Sequence, residues 1–234
     1  MTRQMTLRGR KGKPGRISFV GSGPGDPGLL TTRARAVLAN AALVFVDPDV
    51  PEAVLALVGS ELPPPSGPLP AETTEPRDPA SPDAPAEAAE PAIPGGPDIR
   101  PALGDPAEVA KTLATEARTG VDVVRLVAGD PLSIDAVITE VNALARTQLT
   151  FEIVPGLPDT SAVPTYAGLP LGSSHTVADV RDPQVDWAAL AAAPGPLILH
   201  ATASHLPEAA RTLIEFGLAE GTPAVVTANG TTCT

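Results

Sequence analysis

Cysteine is nearly absent: Cys233 stands alone in 234 residues. That excludes an internal disulfide framework and any cysteine-built zinc site. His175, His200 and His205 are scattered, so no metal centre is expected. No apolar run reaches the ~18 residues of a membrane span, and the N-terminus lacks the apolar core of a secretory leader. The expectation is a soluble cytoplasmic protein with no membrane partner. Aromatics are scarce at 3%, and Lys and Arg number 16 against 27 Asp and Glu, for a net charge of −11. Six of those cations fall in residues 1–16, which carry no acid. This reads as a disordered basic tail, and without an aromatic–basic surface beside it no nucleic-acid partner is expected.

Proline is the opposite case, with 29 residues, 13 of them between positions 63 and 101. That segment holds Ile93 and Ile99 as its only β-branched aliphatics. It buries too little apolar surface to offset the entropy of ordering it, so 63–101 reads as a disordered insert.

Elsewhere apolar residues make short runs separated by helical spacing. Strands are expected at 17–20, 43–46, 121–127, 150–154, 175–180, 196–201 and 224–228. Helices are expected at 31–41, 51–57, 105–119, 133–146, 186–192 and 204–216. Asp105-Pro106 is a strong helix start, because Asp caps the first amides and Pro suits the first turn. Strands alternating with helices give an α/β fold with buried parallel strands. Two α/β domains follow, 17–156 and 157–234, joined near residue 156 with a cleft between them.

The run Ile17-Ser18-Phe19-Val20 empties into Gly21-Ser22-Gly23-Pro24-Gly25-Asp26-Pro27-Gly28-Leu29-Leu30-Thr31. A buried strand that ends in such a loop offers backbone closely to a ligand, in a shape that proline fixes beforehand. A dinucleotide fingerprint starting at Gly21 needs glycine where Asp26 stands, and no Gly-Lys-Ser/Thr follows. Two prolines also remove amide donors that a pyrophosphate would use. The ligand should be something else.

This loop, with Asp47 closing the strand Leu43-Val44-Phe45-Val46, resembles the opening of the tetrapyrrole methylases, and among them the uroporphyrinogen-III C-methyltransferases. Three later segments agree in order. They are Arg125-Leu126-Val127-Ala128-Gly129-Asp130-Pro131; Val154-Pro155-Gly156 with Tyr166-Ala167-Gly168-Leu169-Pro170-Leu171; and Asn229-Gly230-Thr231-Thr232. The resemblance implies the tetrapyrrole methylase fold, with S-adenosyl-L-methionine and uroporphyrinogen III meeting in the cleft. It implies two methyl transfers to ring carbons, towards precorrin-2, and a homodimer. Asp47 would be the general base, though a cap for the helix after Pro48 is a competing reading. Gly23, Pro24, Gly25 and Asp26 would line the cofactor pocket, as would Ala128, Gly129, Asp130 and Ser133. Pro158, Asp159, His200 and Gly230 fall at further contact positions. His200 replaces an apolar residue there, and a satisfied core histidine is the preferred reading for it.

The family's pattern continues past Gly-Thr-Thr, so a piece of a longer chain is expected, with fusion to a uroporphyrinogen-III synthase as its setting. The departures concern the substrate side. Leu132-Ser133-Ile134-Asp135-Ala136-Val137 replaces Phe-Ile-Phe-Gly-Arg-Gly, and Gly172-Ser173-Ser174-His175 follows Leu171 in place of Thr-His-Arg. The proline-rich insert occupies the place of a Gly-Lys-Arg segment, and Pro158-Asp159 replaces Thr-Ala. An eight-carboxylate substrate calls for cations, so a catalytically weakened binding domain is the alternative expectation.

Overall fold

The computed structural model describes residues 13–60, 96–228 and 230–231. The tail as far as residue 12, the insert from 63 to 95, and Cys233 lie outside them. Five parallel strands form the main sheet in the order β3-β2-β4-β1-β5. They are β1 (Ile17–Gly21), β2 (Leu43–Val46), β3 (Asp98–Pro101), β4 (Val123–Val127) and β5 (Phe151–Val154). β1 and β4 are buried along their whole length, as a sheet covered on both faces requires.

The two-residue period of the strands sorts their side chains into two cores. Ile17, Phe19, Phe45, Val123 and Val127 face α3 (Pro106–Arg118) and α4 (Asp135–Ala145), meeting Leu113, Val137 and Leu144. Val20, Val44, Val124 and Leu126 face α1 (Thr32–Ala39) and α2 (Glu52–Leu55), meeting Leu38 and Val54. The rings of Phe19 and Phe151 meet edge to face, with centroids 6.4 Å apart. Asp105 caps α3 by accepting from the amides of Ala107 at 2.9 Å and Glu108 at 3.4 Å. Thr31 caps α1 through the Ala34 amide at 3.1 Å.

Residues 157 onward build a smaller unit. β6 (Thr176–Asp179) pairs in parallel with β7 (Leu197–His200), and α5 (Asp159–Tyr166), α6 (Trp187–Ala192) and α7 (Leu206–Glu215) accompany them.

Three expectations are corrected. Residues 13–16, assigned to the disordered tail, are tied to the fold: the Gly15 amide donates to Ala117 O at 2.8 Å and the Arg16 amide to Asp122 Oδ1 at 2.7 Å. Residues 98–101, assigned to the disordered insert, form β3. The Asp98 amide donates to Ala42 O at 2.9 Å, the Ala102 amide donates to Val46 O at 2.8 Å, and Arg100 pairs with Asp98 and Glu116. Pro101 is tolerated because β3 lies at the sheet edge, where an amide is not needed on the outer side. Residues 224–228 form no strand. Val225 is 60% and Val226 69% exposed, and β-branched side chains gain little without a neighbouring strand to pack on.

Gly21 closes β1 where three backbones converge: a Cβ there would stand 2.5 Å from both Gly129 O and Gly156 N. Gly21→Ala should therefore destabilise the fold by about 1–3 kcal/mol in a denaturant titration, as overpacking does. Gly221→Ala, where a Cβ meets nothing within 4 Å, is the matched control and should leave the midpoint almost unmoved.

Candidate active site at the carboxyl ends of the strands

The parallel register delivers β1, β2, β4 and β5 to one edge, where ligands of open α/β sheets bind. Gly23 and Gly129 bridge the loops after β1 and β4. Gly23 N donates to Gly129 O at 3.1 Å and Gly129 N to Gly23 O at 3.0 Å. Gly129 has φ +65°, and a Cβ on it would meet nothing within 4 Å, so this loop is open on its outer side. Ala128 beside it packs against the α1/α2 core.

Several expected contact residues shape these loops from within. Asp26 accepts from the Gly28 amide at 2.7 Å, and its second oxygen accepts from the Tyr166 hydroxyl at 3.2 Å. Asp130 accepts from the Gly156 amide at 3.2 Å and from the Leu132 amide at 3.2 Å, spending both oxygens on backbone. The Ser133 hydroxyl closes the same turn on Asp130 O at 2.7 Å.

The smaller unit reaches this edge too. The Thr231 hydroxyl donates to Pro24 O at 3.1 Å, while Gly25 lies against Pro51 and the Thr231 hydroxyl oxygen. Gly230 lies so close to Val163 of α5 that any Cβ would collide with it. Pro158 immediately precedes α5 and Asp159 opens it. One Asp159 oxygen accepts from the Thr160 amide at 2.8 Å, and the other lies 3.6 Å from His200 Nδ1. His200 ends β7 with its side chain 31% exposed, so it is a rim residue and not the core histidine of the preferred reading.

Asp47 does not cap a helix: α2 begins at Glu52, with Pro51 before it. The Asp47 amide donates to Leu126 O at 3.0 Å, which pins the residue beside β4. Its Oδ1 accepts from Arg125 Nη2 at 2.6 Å, and among the described residues Oδ2 has no partner. Arg125 stands in the middle of β4 and is buried. Its Nε donates to Glu140 Oε2 at 2.9 Å and its Nη2 to Glu140 Oε1 at 3.0 Å, while Nη1 donates to Leu126 O at 3.2 Å. Burial alone would push the guanidinium down, but Glu140 and Asp47 hold it above its ordinary value. Burial pushes the Glu140 carboxyl up, against the pull of Arg125.

Sequence reading missed Glu140. The signal was there: Val137, Glu140, Val141 and Leu144 share one helical stripe, and a carboxylate on an otherwise apolar stripe needs a buried cation. It also missed Arg181, just past β6. Arg181 binds Asp179 with both arms, Nε to Oδ1 at 2.8 Å and Nη2 to Oδ2 at 2.5 Å, and the charges of Asp49 and Asp159 also act on it.

The hydrogen bond from Arg181 holds the Asp179 carboxyl at about 2, below its ordinary 3.8. A lowered folded value stabilises the protein above about pH 4, and that gain is lost as pH falls towards about 2. Asp179 is 42% and Arg181 53% exposed, so the gain stays below about 1 kcal/mol. Asp179→Asn should be less stable than wild type near neutral pH, with the gap closing at about pH 2. A gap that persists there in acid denaturation would contradict this account.

The sequence profile described as Tetrapyrrole (Corrin/Porphyrin) Methylases matches residues 16–234. The chain is 31% identical to Siroheme synthase 1 of Yersinia enterocolitica, with 97% of the chain aligned to 44% of that protein. It is 29% identical to the S-adenosyl-L-methionine-dependent uroporphyrinogen III methyltransferase of Methanosarcina barkeri, over 94% of the chain and 80% of that relative. It thus spans less than half the length of the siroheme synthase. Among solved structures it resembles the uroporphyrin-III C-methyl transferase of Thermus thermophilus complexed with S-adenyl homocysteine. That likeness has a TM-score of 0.61 at 26% identity and covers 87% of this chain and 77% of that one. With its two α/β units and the matched stretch running through both, the chain belongs to the tetrapyrrole methylases.

Proposed function

We propose that this chain binds S-adenosyl-L-methionine and methylates ring carbons of uroporphyrinogen III, towards precorrin-2. The carrying observation is Asp47: one oxygen is held by Arg125 at 2.6 Å, and the other has no partner among the described residues. It stands at the edge where the glycine loops meet. The relatives in Methanosarcina and Thermus support the choice of donor and substrate.

The loops suit the methyl donor. Gly23, Pro24, Gly25, Ala128, Gly129 and Gly230 would hold it through backbone, with Pro158 and His200 at the rim. Asp26, Asp130, Ser133 and Asp159 would act indirectly, by fixing those loops. When bound, the donor supplies a methyl carbon that bonds to a ring carbon while its C–S bond breaks and sulfur keeps the electron pair. The pyrrole carbon is already nucleophilic, so the chain needs no covalent nucleophile. Asp47 Oδ2 takes the proton that the methylated ring gives up, and holding both partners in line supplies much of the rate.

The setting we propose is a cytoplasmic homodimer. A second reading, a weakened binding domain alongside a uroporphyrinogen-III synthase, is favoured by one observation. Arg125 in the middle of β4 and Arg181 just past β6 are both already paired with carboxylates. Each missing charge-assisted contact to the substrate forfeits about 1.5–3 kcal/mol.

Calorimetry with S-adenosylhomocysteine and an anaerobic methylation assay separate the readings. Wild type should bind and turn over. Asp47→Asn should lose about 10²–10⁴-fold in turnover, the share of a general base, while its affinity for S-adenosylhomocysteine stays within about threefold, since the donor is held by backbone. Binding without precorrin-2 formation would select the second reading, and no binding would sink both.

A further inference from the structure

Glu140 is 1% exposed, on the α3/α4 side of the sheet, and among the described residues its carboxylate bonds to Arg125 alone. A buried ion pair is a poor device for stability, since apolar residues of similar size usually serve as well. Its geometry has a different consequence. Four of the five guanidinium N–H groups are used: Glu140 takes Nε and one N–H of Nη2, Leu126 O takes one N–H of Nη1, and Asp47 receives one bond, from the other N–H of Nη2. Arginine otherwise favours a two-armed fork on a carboxylate. Such a fork on Asp47 would occupy both of its oxygens.

We propose that Glu140 is a positioning residue: by holding the Nε/Nη2 edge of Arg125 it fixes the plane of the guanidinium so that, with Nη1 on Leu126 O, only Nη2 meets Asp47, at Oδ1, and Oδ2 stays open for the proton released by the substrate. This rests on the reading of Asp47 as general base. The route runs from α4 through the middle of β4 to the end of β2, entirely through the 2.9, 3.0 and 2.6 Å contacts. Arg125 and Asp47 share a strand face, because Arg125 pairs in register with Phe45, two residues before Asp47.

The test is Glu140→Gln, which keeps the shape but breaks the fork. The expected result is a kcat per folded molecule lower by about 10- to 100-fold, the scale of a roughly 1 Å misplacement. KM for S-adenosylmethionine should stay within about threefold, because the loops that hold it are not touched. A crystal structure should show Arg125 either forked onto both Asp47 oxygens or withdrawn from Asp47. A kcat within about twofold of wild type, or an unchanged Arg125–Asp47 contact, would overturn the proposal. If Glu140→Gln does not fold, Glu140→Asp, which keeps the charge but draws the carboxylate back by one methylene, replaces it. That variant should fold and lose kcat similarly, and wild-type turnover in it would overturn the proposal. Unchanged turnover in Asp47→Asn would instead sink the reading of Asp47, separately from Glu140. If wild type transfers no methyl group, that reading fails, and the place of Arg125 in Glu140→Gln alone decides the positioning claim.

Discussion

A guanidinium in the centre of a parallel sheet must be neutralised where it lies, because water cannot reach it. Arg125 meets that demand with Glu140 from the helix behind the sheet and Asp47 from the neighbouring strand end. This requirement ties three elements together: α4 must dock with Glu140 inward, β4 must hold Arg125 on that face, and β2 must end level with Leu126. The position of Asp47 is therefore set by an internal charge balance as much as by the loop that carries it.

Steric closeness does the same for the loops. Gly21, Gly129 and Gly156 come together at the ends of three strands, where a side chain on Gly21 would strike the other two. Asp130 ties the β4 loop to the β5 loop, and Asp26 ties the β1 loop to α5. Asp26 and Asp130, which read as ligands in the sequence, are thus internal fasteners, with both oxygens of each already bonded.

Much of this was legible in the sequence. Strand and helix alternation, the cap at Asp105, and the glycine loop follow from local chemistry, and the structure repeats them closely. Two kinds of feature were not. Edge strands such as β3 depend on a neighbour's free hydrogen bonds, so a Pro-flanked Asp-Ile-Arg looked like more of the insert. The apolar run at 224–228 failed for the converse reason, having strand-like residues and no ladder among the described ones. Side-chain roles were legible as positions only. Asp47 was marked by the family resemblance and by its place at a strand end, but Glu140 lies 93 residues further along and meets it through a third residue. That relation exists only in three dimensions.

The hydrogen bond from Thr231 to Pro24 joins residues 207 positions apart. The loop made first on the ribosome receives one of its fixings from residues made more than two hundred peptide bonds later. During synthesis the five-stranded sheet can form early, while the ligand loop on it stays unfinished until the smaller unit arrives. The last fixing of that loop therefore waits for the smaller unit, and the loop closes later in synthesis than the sheet that carries it.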